Sequence, residues 1–315
     1  MRRYFGVDAS GVGWAHAVNS RAELAAALND PTVHMLEADI LMCSKDLGPS
    51  RRTSSRFVLQ PIMCHPPAKD SDLTFDEFTR TVIASLRGGR KVGLKLDFKQ
   101  AECVAPCLDL LRARGFGQES SSSYSVNAGE FEDVPLWLNA DVIRGPGGRE
   151  PIDGPSFVST CVSTCPHATL SLGWTHTGTP LLGYTHAMAL AMKKLVAPLR
   201  CDVTLAASAA HLFASANPAR AVLIDDVVNG AGVGDARVGG SRDAPGRSFT
   251  LWGPAPGPVT RWIERELPPE ATYVDVKACN WKEEAVVRLY VYTRPAWATL
   301  HDARLWLFSR RRRRL

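Results

Sequence analysis

The sequence predicts an α/β protein built as a single (β/α)8 barrel of the TIM type. Three observations lead there: eight apolar, strand-like runs can be counted, amphipathic helical patterns alternate with them, and no Gly-rich phosphate loop follows the first run. Regular alternation of this kind argues for parallel βα units rather than a sandwich. A doubly wound open sheet ordinarily carries a Gly-rich loop after its first strand, whereas here the chain passes into Val18-Asn19-Ser20. The 315 residues hold one barrel of roughly 250 residues with insertions.

Strand one is read over Val12–Val18, followed by a helix over Arg21–Leu28 with Ser20 as N-cap and Glu23 in the capping-box position. Strand two is Val33–Leu41. A long connection then leads to a helix over Leu73–Leu86, capped by Asp72. Strands three and four, Val92–Phe98 and Leu136–Ile143, flank a helix over Cys103–Arg114. A helix over Pro155–Cys165 joins strand four to strand five, Thr169–Trp174, and one over Tyr184–Leu195 leads on to strand six, Val203–Ala207. Residues 208–246 resist assignment, and Ala221–Val228 fits helix or strand equally. Gly230-Ala-Gly232-Val-Gly234 has neither a strand cleanly before it nor a helix behind it, so it reads as a flexible loop rather than a phosphate cradle. Strands seven and eight, Ser248–Trp252 and Thr272–Val276, enclose a helix over Pro258–Leu267, after which the barrel end is irregular. The division is an extension over 1–11, a barrel over 12–280 with a Gly-rich insertion at 229–247, and a C-terminal extension over 281–315.

The net charge of +5 is concentrated in Arg310–Arg314. That run reads as a solvated tail capable of at most a weak anionic-surface contact, and it has no interleaved aromatics to stack on nucleic-acid bases. No apolar run approaches the ~18 residues a membrane span needs, and no apolar segment follows Arg2-Arg3 as in a secretory signal. The sequence therefore predicts a cytoplasmic protein. The eight Cys contain no Cys-x-x-Cys, and the i,i+4 pairs Cys103/Cys107 and Cys161/Cys165 fit buried reduced thiols on helices better than a zinc site.

Polar clusters interrupt the apolar runs at Trp14-Ala15-His16, Glu37-Ala38-Asp39, Cys64-His65-Pro66-Pro67 and Lys95-Leu96-Asp97-Phe98-Lys99. A period of two puts each set of charges on one face of its strand. Buried ions cost several kcal/mol each, on the order of the penalty a fold accepts when they pair, bind metal or do chemistry. His16, Glu37, Asp39, Asp97 and Lys99 fall at C-terminal strand ends, where barrel active sites lie, and His65 belongs to the long connection between strands two and three. Asn139 and Asp141 end strand four, Trp174 ends strand five, and His65 precedes two stiffening prolines. Lys95 lies deeper, where a structural ion pair is its better reading. His176, His186 and His211 show no partner pattern.

The order of these clusters resembles phospholipase-C-like phosphodiesterases, the superfamily of glycerophosphodiester phosphodiesterases and sphingomyelinase D. The local wording is closer to the menorin family. It matches at Trp14-Ala-His16-Ala-Val-Asn19-Ser20, Leu36-Glu37-Ala-Asp39-Ile40, Pro61-Ile-Met-Cys-His65-Pro66-Pro67, Gly93-Leu-Lys95-Leu-Asp97-Phe-Lys99, Trp137-Leu-Asn139-Ala-Asp141 and Leu170-Ser-Leu-Gly173-Trp174-Thr175. The resemblance implies phosphodiester cleavage with one divalent cation. His16 and His65 would be the acid/base pair, Glu37, Asp39 and Asp97 the metal ligands, and Lys99 a phosphate contact, with Asn139, Asp141 and Trp174 around the substrate. A carboxylate-only set selects a hard ion, Mg²⁺ or else Ca²⁺. The expected substrate is a small phosphodiester or lipid head group. Two alternatives stand beside this: a menorin-like binding or signalling protein keeping the barrel without turnover, and an aldolase with Lys95 or Lys99 as Schiff base.

Overall fold

Eight parallel strands form a nearly closed ring in the computed structural model, which describes residues 1–46, 57–117, 130–176, 182–229 and 245–277. The chain opens with a short helix α1 (Arg2–Phe5), a 3-10 turn (Ala9–Gly11) and β1 (Trp14–Ala15), followed by α2 (Arg21–Asn29). Next come β2 (Met35–Asp46), β3 (Phe57–Met63), α3 (Phe75–Arg87), β4 (Gly93–Phe98), α4 (Val104–Ala113), β5 (Leu136–Arg144), α5 (Gly154–Thr164) and β6 (Thr169–Thr175). The remainder is α6 (His186–Val196), β7 (Val203–Ser208), α7 (Ala209–Ala214), α8 (Asn217–Ala221) continuing as a π-wound turn (Val222–Asn229), β8 (Arg247–Pro254), α9 (Gly257–Glu266) and β9 (Thr272–Lys277). The strand order is β1-β2-β4-β5-β6-β7-β8-β9, each step parallel, with β3 antiparallel on β2 outside the ring. One seam stays unsealed: among the described residues no ladder joins β9 back to β1.

The expected barrel is thus present, with local corrections. Strand one shrinks to two residues because the chain leaves the extended region at Ala17, whose φ is 56°. Its predecessor Gly13 lies so close to the neighbouring backbone that a Cβ would meet the Thr32 carbonyl oxygen at 2.1 Å. Strand two runs on past the barrel and pairs with the unexpected β3, from Ile40↔Met63 to Asp46↔Phe57. Ser20 caps α2 as expected, accepting from the Glu23 amide. The cap of α3, however, is Thr74 rather than Asp72, since Thr74 is the residue whose side chain reaches the Glu77 amide. Asp72 accepts instead from the Arg21 amide at 3.1 Å, tying the start of α2 to the loop before α3. The Gly-rich stretch 230–244, the loop at 120–125 and the Arg310–Arg314 tail lie outside the described residues.

Alternation along the strands sorts the core into two parts. Outward positions such as Leu36, Leu94, Leu96, Leu138, Leu172 and Leu205 are buried under the helices. Inward positions at the strand starts form the barrel floor: Met35, Trp137 and Tyr273 pack with Ala9 and Val12. Trp137 meets Tyr273 edge-on at 4.7 Å and Trp14 at 5.5 Å. Ala9, expected in an extension, is therefore part of the floor.

Cys103, Cys107, Cys161 and Cys165 are buried free thiols. Burial pushes Cys103 and Cys165 up to about 12 and raises Cys107 and Cys161 as well. The thiolate is the reactive species, so these four should resist a disulfide reagent such as DTNB in the native protein and all react in denaturant. Equal reactivity in both states would show that the helical layer is not packed.

Candidate metal centre at the barrel mouth

Parallel pairing of β2 with β4 sets Glu37 beside Lys95 and Asp39 beside Asp97, and pairing of β4 with β5 sets Asp97 beside Asn139. Because all are inward positions, the carboxylates converge in the lumen. One oxygen from each of Glu37, Asp39 and Asp97 lies within 4.8 Å of the others. Two oxygens that share one cation at about 2.0–2.6 Å can lie up to about 5 Å apart, so three oxygens within 4.8 Å of one another can reach a single divalent ion. All three are acceptor-only oxygen donors when ionised, the chemistry a hard cation prefers.

The charges are unequal. Burial raises the Glu37 pKa and the neighbouring Asp39 raises it further, against the pull of Lys95 and His16. Burial would raise Asp97 too, but Lys99 and Lys95 outweigh it and hold its carboxyl below the usual range, aided by a hydrogen bond from Asn139. Asn139 is itself oriented by Ser171, whose hydroxyl donates to its Oδ1 at 2.6 Å. Lys99 spans the cluster, its Nζ 2.6 Å from Asp97 and 3.0 Å from Asp39. Burial disfavours its charge, yet Asp97 and Asp39 prevail and raise its pKa. Asp141, one step up β5, is pushed up to about 7 by burial and then by Asp97. Gly173 makes room for it: a Cβ there would meet Asp141 Oδ1 at 2.5 Å.

His16 stands across the seam. Its Nδ1 donates to Asp275 at 2.9 Å and lies 3.3 Å from Glu37. Burial lowers its pKa, but the Asp275 hydrogen bond and the charges of Glu37 and Asp275 outweigh it, and the net shift is upward. With Nδ1 committed as a donor, Nε2 is the nitrogen left to exchange a proton. The turn after His16 is held by the Ala17 amide donating to Glu37 Oε2 at 2.7 Å. A left-handed residue with a Cβ costs about 1–2 kcal/mol, and such strain clusters at functional sites.

The other expected residues fall in different places. His65 is exposed directly after Cys64, whose amide donates to the Asp39 carbonyl at 2.8 Å, so its chain position is the rim beside Asp39. Lys95 makes no direct ion pair among the described residues; its Nζ lies 5.8 Å from the Trp14 ring while its charge acts on Glu37 and Asp97. Trp174 does not face the mouth. It is fully buried, 4.6 Å from Tyr184, with its indole N–H toward the Met188 carbonyl of α6.

Two residues in the site escaped the sequence reading. Asn19 clamps Asp39, donating to its carboxylate at 2.8 Å and accepting from its amide at 2.9 Å. It reads as a turn residue before a helix cap. Asp275 follows Tyr273 at a period of two, the signal that marked Glu37 and Asp39.

The family model described as Menorin N-terminal domain matches residues 8–231. The human protein FAM151B is 34% identical over 207 residues, covering 64% of this chain and 64% of that protein. The match thus spans less than two thirds of its relative's length. No solved structure matches the chain.

Proposed function

The chain belongs to the menorin family, and we propose that it is a phosphodiesterase-type barrel cleaving a small phosphodiester or lipid head group at the Glu37–Asp39–Asp97 centre. The observation that carries this reading is the convergence of three carboxylates within 4.8 Å, beside an imidazole hydrogen-bonded to its own carboxylate. Glu37, Asp39 and Asp97 would hold one Mg²⁺, with Ca²⁺ the other hard ion that fits. Bound there, the ion would neutralise charge growing on the phosphoryl oxygens.

The chain's own residues do the rest. Asn19 and Asn139 fix Asp39 and Asp97 by hydrogen bonds. Asp275 orients His16 and leaves Nε2 to carry a proton, while His65, on the rim, is the second acid/base group. Lys99 supplies positive charge to the phosphoryl group. Asp141, whose pKa burial and then Asp97 raise, lines the same side of the site.

A second reading has one observation in its favour: Lys99 already compensates Asp39 and Asp97 directly, as in a barrel that binds without turnover. No helix of the described residues is long and apolar enough to cross a membrane. A panel of phosphodiesters assayed with Mg²⁺ and with EDTA separates the two. Metal-dependent turnover supports the first reading; binding without turnover across the panel supports the second.

A further inference from the structure

We infer that Lys99 is a tethered cation that occupies two of the three proposed metal ligands and has to leave them before a divalent ion can bind. The inference rests on the metal reading of the Glu37–Asp39–Asp97 cluster and adds to it a competition internal to the chain.

Lys99 is not at the edge of the cluster. Its ammonium lies 3.0 Å from Asp39 Oδ1 and 2.6 Å from Asp97 Oδ2, and both residues belong to the set whose ligand oxygens lie within 4.8 Å of one another. Each carboxylate has a second oxygen, but an ammonium and a divalent ion bonded to the same pair of carboxylates repel strongly in a site screened from water, and that repulsion drives the lysine out. The backbone at Lys99 is fixed, its amide donating to the Ile40 carbonyl at 3.1 Å. Displacement therefore falls to the flexible four-carbon stem.

The displaced ammonium has a partner waiting. Asp141 lies on the neighbouring strand β5, two residues beyond Asn139, the register partner of Asp97, and its charge already acts on Lys99. A move from Asp39 and Asp97 toward Asp141 carries the positive charge outward, to the side from which an anionic phosphodiester enters. Metal loading and phosphate binding then become coupled: the ion releases the very charge that the phosphate needs. Without metal, the same lysine keeps three crowded carboxylates from repelling one another.

The test is calorimetric titration of the full chain with Mg²⁺, comparing wild type with Lys99→Met, which keeps the stem length and removes the charge. Competition predicts that Lys99→Met binds Mg²⁺ at least tenfold more tightly, melts at a lower temperature in EDTA, and gains more in melting temperature on adding Mg²⁺. Lys99→Gln, which retains N–H donors toward both carboxylates, serves with the same expected direction if Lys99→Met does not fold. Equal or weaker Mg²⁺ binding by the variant would overturn the competition while leaving the metal centre standing. Absence of Mg²⁺ binding in both proteins at millimolar concentration would overturn the metal centre and the competition together.

Discussion

Replacing His16 by Ala is expected to lower metal-dependent phosphodiester turnover by about 10²–10⁴-fold, the usual contribution of a positioned general acid or base. The expectation follows from how His16 is held. Its Nδ1 is fixed by Asp275 across the barrel seam and lies near Glu37, so the ring stands beside the proposed metal ligands with a defined tautomer. Asp275→Asn should give a smaller loss, because the ring remains but its orientation and charge balance do not. The measurement is kcat for the best substrate of the panel, with Mg²⁺ in excess so that weakened metal binding does not obscure the chemical step. Unchanged turnover in His16→Ala would remove the imidazole from the mechanism.

Trp137→Ala should destabilise the fold by about 3–5 kcal/mol, the range for deleting a buried large aromatic. Trp137 is the centre of the barrel floor, in contact with the Trp14 ring on one side and Tyr273 on the other. It packs in one cluster with Met35, Ala9 and Val12, residues brought in by β2 and by the segment before β1. Its removal leaves a cavity in the floor beneath the unsealed seam, where among the described residues no ladder between β9 and β1 compensates. Against a total stability of roughly 5–15 kcal/mol, that loss is large. Urea unfolding should show it as a shift of midpoint at unchanged slope. A loss below about 1 kcal/mol, typical of surface substitutions, would mean that the floor is not packed as described.

Strands two to eight were legible because parallel strands covered on both faces read as apolar runs, and the few charges that interrupt them at a period of two mark the lumen. Glu37, Asp39, Asp97 and Lys99 were found by that signal. Trp174 was expected at the mouth because it ends strand five, but parity excludes it: Ser171 hydrogen-bonds to Asn139 and Gly173 abuts Asp141, so on this strand the odd-numbered residues face the lumen and Trp174 points to the helices. β3 went unread because it lies in an apparent connection and contains Pro61, which an edge strand tolerates. Residues 209–229 were unreadable because two short helices and a π-wound turn carry no sustained 3.6-residue period. Asp275 was missed for a different reason. The period of two marks its lumen position, but its pairing with His16 depends on the last strand meeting the first, a long-range closure that no local pattern encodes.

The most direct test of the proposed metal centre is titration of the chelator-treated protein with Mg²⁺, in wild type and in Asp97→Asn. Asp97 contributes one of the three converging oxygens, and asparagine keeps its shape while removing its charge. The account predicts saturable binding of one ion by wild type and a clear loss of affinity in Asp97→Asn, with both proteins folded by circular dichroism. Wild type that binds no divalent ion at millimolar concentration, or binds equally well after the substitution, would contradict it.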